Sequence, residues 1–223
     1  RDKLVTGVQT CALPIYQLVV ADGGSADATI ELARAAGAEV VSAPRGRGQQ
    51  LRAGAQALRT ELLLFLHADC VPEPGALVAL RAAFAAPDLR AAGMSQRIAA
   101  AGLFYRLVER AADRRVRRGM VFGDSGLCLR RAAYDEAGGF AELPLFEDVE
   151  LSRRLAARAR PRLVRSARLV VSARRWQREG PLRATLRNWM LRGAYALGAD
   201  PERLVRRYAP HRSALPEDGP AAP

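Results

Sequence analysis

The chain has 223 residues and a mass of 24.1 kDa, enough for one domain with a substantial core. Its 49% hydrophobic and 26% charged residues exclude a wholly disordered protein, and the run Leu62–Leu66 is far too short to span a bilayer. Basic residues outnumber acidic ones 35 to 23, a net charge of +12 that attracts polyanions such as nucleic acid, acidic headgroups or phosphorylated metabolites. Every basic residue except Lys3 is arginine in an alanine-rich chain, as GC-rich coding produces, so nucleic acid is not the expected partner. Cys11, Cys70 and Cys128 form no CxxC, and a reducing cytoplasm is the expected compartment.

Residues 1–15 show neither strand alternation nor a helical stripe, and they are expected to be a non-native or irregular segment. Gln17–Ala21 reads as a buried strand running into Asp22-Gly23-Gly24-Ser25. Asp27 caps a helix to about Ala36, Glu39–Ala43 is a second strand, and the loop Pro44–Gly48 precedes a helix over Gln49–Leu58. Glu61–Leu66 is a third strand ending at His67-Ala68-Asp69, and Pro74–Ala85 the next helix. This alternation predicts an α/β fold with a doubly wound, mostly parallel sheet flanked by helices.

Farther on, the pattern predicts a strand over Ala91–Ile98 and a helix from Leu103 to Arg118 with Arg106, Arg110, Asp113 and Arg117 on a solvated face. A strand over Ser125–Leu129 and a short helix over Arg131–Ala137 come next. Glu147 opens a helix to Arg158, Leu163–Val171 is a strand, and a last helix over Pro181–Leu197 carries Leu182, Leu186, Trp189 and Gly193 on one stripe. The domain is expected to occupy residues 16–208, with a disordered tail over 209–223.

Asp22 and Asp69 both fall at the carboxyl ends of strands, where such sheets bind ligands. Asp69 ends an apolar strand, where a divalent cation bridging to a diphosphate is a natural partner; a loop aspartate capping a turn is the alternative. His67 reads as a neighbour of such a metal or as an orienting hydrogen-bond partner. Asp22, Gly24 and Ser25 form a loop that can hold a ribose or base edge, or simply a turn with a helix cap. Arg45 and Arg47 offer guanidinium groups to phosphate, or form a solvated basic loop. Glu147 and Asp148 read as a general base or as helix-dipole charges, and Arg174, Arg175 and Trp176 as two cations beside an aromatic platform or as an exposed strand end.

In this order the segments resemble the family 2 glycosyltransferases of the GT-A fold. The motifs are D-G-G-S-x-D-x-T at Asp22–Thr29, R-G-R-x-x-Q at Arg45–Gln50, L-L-F-L-H-A-D at Leu63–Asp69 and G-D at Gly123–Asp124. G-G-F at Gly138–Phe140, E-D-V-E-L-S-R-R-L at Glu147–Leu155 and R-R-W at Arg174–Trp176 complete the series. The stretch Ala194–Leu204 resembles a bacterial subgroup linked to radical-SAM/selenodomain neighbours.

The resemblance implies an inverting, metal-dependent transfer of a sugar from a nucleotide-diphosphate donor, UDP by expectation, to an acceptor hydroxyl. It implies Asp22, Arg45, Arg47, Gln50 and Asp124 at the nucleotide or substrate, and Asp69 as ligand to Mn²⁺ or Mg²⁺, with His67 in place of the family's first aspartate. Asp148 would be the base, with Glu147 beside it, and Arg174, Arg175 and Trp176 would lie near the diphosphate or acceptor. A lipid-linked acceptor and peripheral contact with an anionic membrane fit the charge. The family's opening strand and its P-x-x-N-E-like loop are missing or replaced, and Arg52 stands where asparagine is usual. A nucleotidyltransferase on a similar sheet and a basic protein binding nucleic acid or membrane surfaces without catalysis are the alternative readings.

Overall fold

The computed structural model describes residues 16–207. Its elements in chain order are β1 (Val19–Asp22), α1 (Thr29–Ala35), β2 (Glu39–Ser42), α2 (Arg47–Ala57), β3 (Leu62–Phe65), β4 (Cys70–Pro72), α3 (Ala76–Ala83) and β5 (Ala91–Ile98). Then come α4 (Leu103–Arg117), a 3-10 turn (Gly123–Ser125), β6 (Leu127–Arg130), α5 (Arg131–Glu136), α6 (Glu147–Arg158), β7 (Arg162–Val171), α7 (Arg174–Glu179), α8 (Pro181–Ala196) and α9 (Pro201–Arg207). The expectations for residues 1–15 and 209–223 lie outside the described residues.

The α/β architecture is the one the strand–helix alternation predicts. β1 and β2 pair in parallel, with Val19 opposite Glu39. The remaining strands form one sheet in the order β3-β6-β5-β7-β4. This sheet is mixed rather than mostly parallel: β5–β7 runs parallel, while β3–β6, β5–β6 and β4–β7 run antiparallel. The backbone between α4 and β6 explains the reversal. Val121 packs at Gly93 and the Asp124 carbonyl accepts from Gln96, so this loop runs forward beside β5. β6 must then turn back, placing Leu127 opposite Gly93.

Strand alternation divides the core between the two faces of the sheet. Leu127 and Leu129 join Leu63, Phe65, Phe140, Leu151 and Leu155 on one side, with Phe65 and Phe140 edge to face at 4.8 Å. Cys128 points the other way, onto Met94, Leu169, Leu80 and Phe84. Cys70 and Cys128 are buried free thiols that fill this second layer.

Three further features differ from the sequence reading. β4, α7 and α9 lack any period in so few residues, and Arg174–Trp176 opens a helix rather than ending an exposed strand. The supposed solvated face of α4 is solvated only at Arg110 and Arg117. Arg106 donates to the carbonyls of Ile98 and Ala100, and Asp113 accepts from Ser95 Oγ at 2.9 Å, tying α4 to β5. Among the described residues no helix is long and apolar enough to cross a membrane.

Candidate active site

The loop after β1 is a self-contained turn. Asp22 is buried, and its Oδ2 accepts from the backbone of Gly24 at 2.8 Å and of Ser25 at 3.0 Å. The Ser25 hydroxyl donates to Oδ1, and these bonds hold the Asp22 carboxyl below its ordinary range. Arg45 braces the same turn by donating to the carbonyls of Gly23 and Gly24, while Gln50 Nε2 donates to the Ala21 carbonyl at 3.0 Å. Thus Asp22, Gly24, Ser25, Arg45 and Gln50 come together around the end of β1.

The large cavity lies beyond them. It holds about 590 Å³ and is lined by Arg47, His67, Asp69, Asp124, Asp148, Arg175 and Trp176, among others. Arg47, two residues after Arg45, carries the basic loop from the β1 turn to this cavity. Glu147 and Arg174 do not line it: Glu147 is fully buried behind its wall and Arg174 is exposed. The sequence motifs therefore assemble in two groups that meet at the start of α2.

At the deep end, Asp148 Oδ2 accepts the Gly123 N–H at 2.8 Å, and Oδ1 accepts the Val149 N–H at 2.7 Å. These bonds fix the carboxylate at the start of α6 with its plane set by backbone. The residue preceding this pair, Phe146, has φ of 68°, a left-handed conformation that a bulky side chain rarely takes. Packing maintains it: Phe146 stacks on Tyr195 of α8 at 4.7 Å and is buried with Leu145 and Leu191.

His67, Glu147 and Asp148 turn their ligand atoms toward one another, all within 4.8 Å. Neither carboxylate oxygen of Glu147 has a hydrogen-bond partner, nor has His67 Nε2. Burial first, and the charge of Asp148 second, push Glu147 up to about 7. Burial and the neighbouring Arg47 press His67 below its ordinary value, favouring the neutral imidazole despite nearby carboxylates. Two carboxylates and a neutral imidazole are a donor set for a divalent cation. Unpartnered buried oxygens of this kind are costly unless a cation or a proton joins them.

Arg115 and Arg192 line the same cavity and were not singled out by sequence, where both lie in helices with regular charge. They share one ring: their guanidinium carbons sit 4.0 and 5.4 Å from the Phe122 centroid. Arg115 also pairs with Asp124 at 2.5 Å and donates to Ser125 Oγ at 2.8 Å. Burial opposes ionisation of Asp124, but Arg115 and a bond from Gln96 outweigh it and hold the carboxyl low. Burial, then Arg115, press Arg192 below the usual arginine value. Trp176 of the R-R-W motif donates from Nε1 to Thr185 Oγ1 at 3.2 Å and meets Tyr105 edge to face, joining α7 to α8 and α4.

The family model described as "Glycosyltransferase like family 2" matches residues 3–196. The chain belongs to this family. The match also takes in part of the segment set aside above. No curated protein matches at a significant level. Among solved structures, the S. aureus TarS 1–349 fragment is similar at TM-score 0.58 and 15% identity, over 70% of this chain and 51% of that one. The mannosyltransferase PcManGT from Pyrobaculum calidifontis, solved with GDP-Man and Mn²⁺, is similar at TM-score 0.56 and 16% identity, over 86% of this chain and 69% of that one. Glucosyl-3-phosphoglycerate synthase from Mycobacterium tuberculosis is more distant, at TM-score 0.47 and 20% identity over 70% of this chain. Against that synthase the chain spans 58% of the other's length. The likenesses to TarS and PcManGT show the GT-A-type α/β fold for this glycosyltransferase-family chain.

Proposed function

We propose that this chain transfers a glycosyl group from a nucleotide-diphosphate sugar to an acceptor hydroxyl, in one inverting displacement that depends on Mn²⁺ or Mg²⁺. The observation that carries the reading is Asp148, a carboxylate on the cavity wall aimed by the Gly123 N–H in a chain of this family. In the reaction, the acceptor oxygen attacks the anomeric carbon and its proton passes to Asp148. The bond to the diphosphate breaks with its electrons, and the guanidinium groups lining the cavity face the charge that leaves. The same facts favour Asp148 over Glu147 as base, because Glu147 is fully buried and does not line the cavity.

The residues present fit a divalent cation, since the unpartnered oxygens of buried Glu147 belong to a cluster with Asp148 and a ring nitrogen of His67. His67 and Glu147 of that trio would hold it, joined by Asp69 from the cavity lining, and the trio's third member, Asp148, would take the proton. Bound there, the cation would supply charge neutralisation for the departing diphosphate. The β1 turn, with Asp22, Ser25, Arg45 and Gln50, is assigned to the nucleoside end of the donor. A cytoplasmic site of action belongs to the same proposal.

The test is donor consumption by the purified chain with UDP- and GDP-sugars and Mn²⁺, followed by NMR of the product's anomeric proton. Inversion with loss of turnover in Asp148→Asn supports the reading. Retention, or full turnover in that variant, overturns it.

A further inference from the structure

The cavity is chemically two-sided. Its polar end carries Asp148, Asp69 and the arginines, whereas its outer walls are Phe104 and Leu107 of α4 and Leu182, Leu186 and Trp189 of α8. Four of these outer side chains are open to solvent, Leu107 at 52%, Leu182 at 69%, Leu186 at 55% and Trp189 at 60%, and Phe104 is half-buried. The apolar stripe of α8 thus does not pack on the core, as such a stripe usually does. It walls a cavity of about 590 Å³, an ordinary size among small-molecule pockets of roughly 300–1,000 Å³. A nucleotide sugar can lay its base or a sugar face on one aromatic ring, but it has no alkyl surface to cover a wall that also carries Leu107, Leu182 and Leu186.

We infer that the outer half of this cavity binds the apolar chain of an amphiphilic acceptor, whose hydroxyl-bearing headgroup reaches Asp148. The inference rests on the glycosyl-transfer reading of the deep end. The occupant follows from continuity: one cavity runs from the carboxylate at the start of α6 to the apolar walls, so one ligand meets both. α8 is also fixed to the deep end, because Tyr195 stacks on Phe146 directly before Glu147 and Asp148. Seating a chain on α8 therefore bears on the geometry of the base.

The molecule carries its own probe. Its two tryptophans, Trp176 and Trp189, both line this cavity, so tryptophan emission reads its occupancy whether or not transfer occurs. The experiment titrates the full chain with n-decyl β-glucoside below its micelle concentration, and with methyl β-glucoside at matched concentrations. A saturable blue shift with the decyl compound alone is expected. Leu186→Glu should weaken it by roughly tenfold or more, the effect of charging one leucine-sized contact. Val78→Glu, on α3 at an exposed position outside the lining, should leave it unchanged.

An equal response to both glucosides overturns the inference, as does equal weakening in the two variants, which marks general surface adhesion. Binding to anionic vesicles without any response to the monomeric decyl compound overturns it in favour of a membrane-docking face. A shift that depends on protein concentration without ligand overturns it in favour of a second copy of the chain. The donor-consumption assay separates this from the parent reading: saturable decyl binding with no donor consumption leaves the chain site standing and removes only the transfer.

Discussion

The imidazole of His67 lies against the backbone of Gly123 so closely that a Cβ there would fall 1.9 Å from Nε2. The same glycine donates its N–H to Asp148, so one residue without a side chain positions two polar groups of the deep end. Gly123→Ala must therefore push His67 away or shift the 3-10 turn. Such overpacking destabilises by about 1–3 kcal/mol. The expected outcome is a folded protein with a lower melting temperature and markedly weaker Mn²⁺ binding by calorimetry. Unchanged Mn²⁺ affinity would show that His67 has no part in holding a cation.

Asp148→Asn keeps the shape and removes the base, but its amide NH2 can accept neither backbone N–H, so one of the bonds from Gly123 and Val149 is lost with it. Turnover should fall by about 10²–10⁴-fold, the usual contribution of a positioned acid–base group. Donor affinity, measured as the Kd of the nucleotide diphosphate, should change little. Glu147→Gln should act in the opposite way, disturbing cation binding more than the proton transfer. Steady-state kinetics beside calorimetry for both variants distinguishes the two roles. A steeper loss of turnover in Glu147→Gln, with cation affinity intact, would exchange them.

Asp69 is exposed on the cavity lining, and Cys70 Sγ at 3.5 Å is its side-chain neighbour. The weak thiol bond that Cys70 donates to it is a small loss, so Asp69→Ala should fold normally. Its effect should appear as loss of the Mn²⁺-dependent part of UDP or GDP binding, read by calorimetry with and without the ion. Equal binding in parent and variant would remove Asp69 from the cation set.

Much of this was readable because it is periodic or local. Ala91–Ile98 and Glu147–Arg158 are bounded by the residues their patterns select, and the Asp22 turn is an Asx-type structure that short-range chemistry dictates. What escaped depends on long-range placement. The mixed sheet follows from a loop that runs forward beside β5, and nothing in its sequence marks that direction. Arg115 and Arg192 sit in helices whose charges look solvated, and their meeting over Phe122 arises only when α4 and α8 pack. The α8 stripe was visible as a stripe, but whether it faced core or cavity was set by tertiary structure.

Glu147 ties stability to pH in the cation-free protein. Its ordinary value is 4.5, and burial with the charge of Asp148 raises it to about 7 in the fold. Between those values the folded chain keeps a proton that the unfolded chain has released, so stability contributed here is full below about 4.5 and is lost as pH rises through about 7. The gap corresponds to roughly 3 kcal/mol, at 1.36 kcal/mol for each pH unit. His67 works with the opposite sign: its lowered value makes the folded chain resist a proton that the unfolded chain takes up below about 6.5. Comparing the parent with Glu147→Gln isolates the glutamate, because His67 is common to both. In urea melts with a chelator present, the variant should gain on the parent as pH rises from 5 to 8. Mn²⁺ should restore the parent at pH 8, since the ion stabilises the ionised carboxylate that burial alone penalises. A constant stability difference across that range would mean that Glu147 stays charged in the fold without a cation.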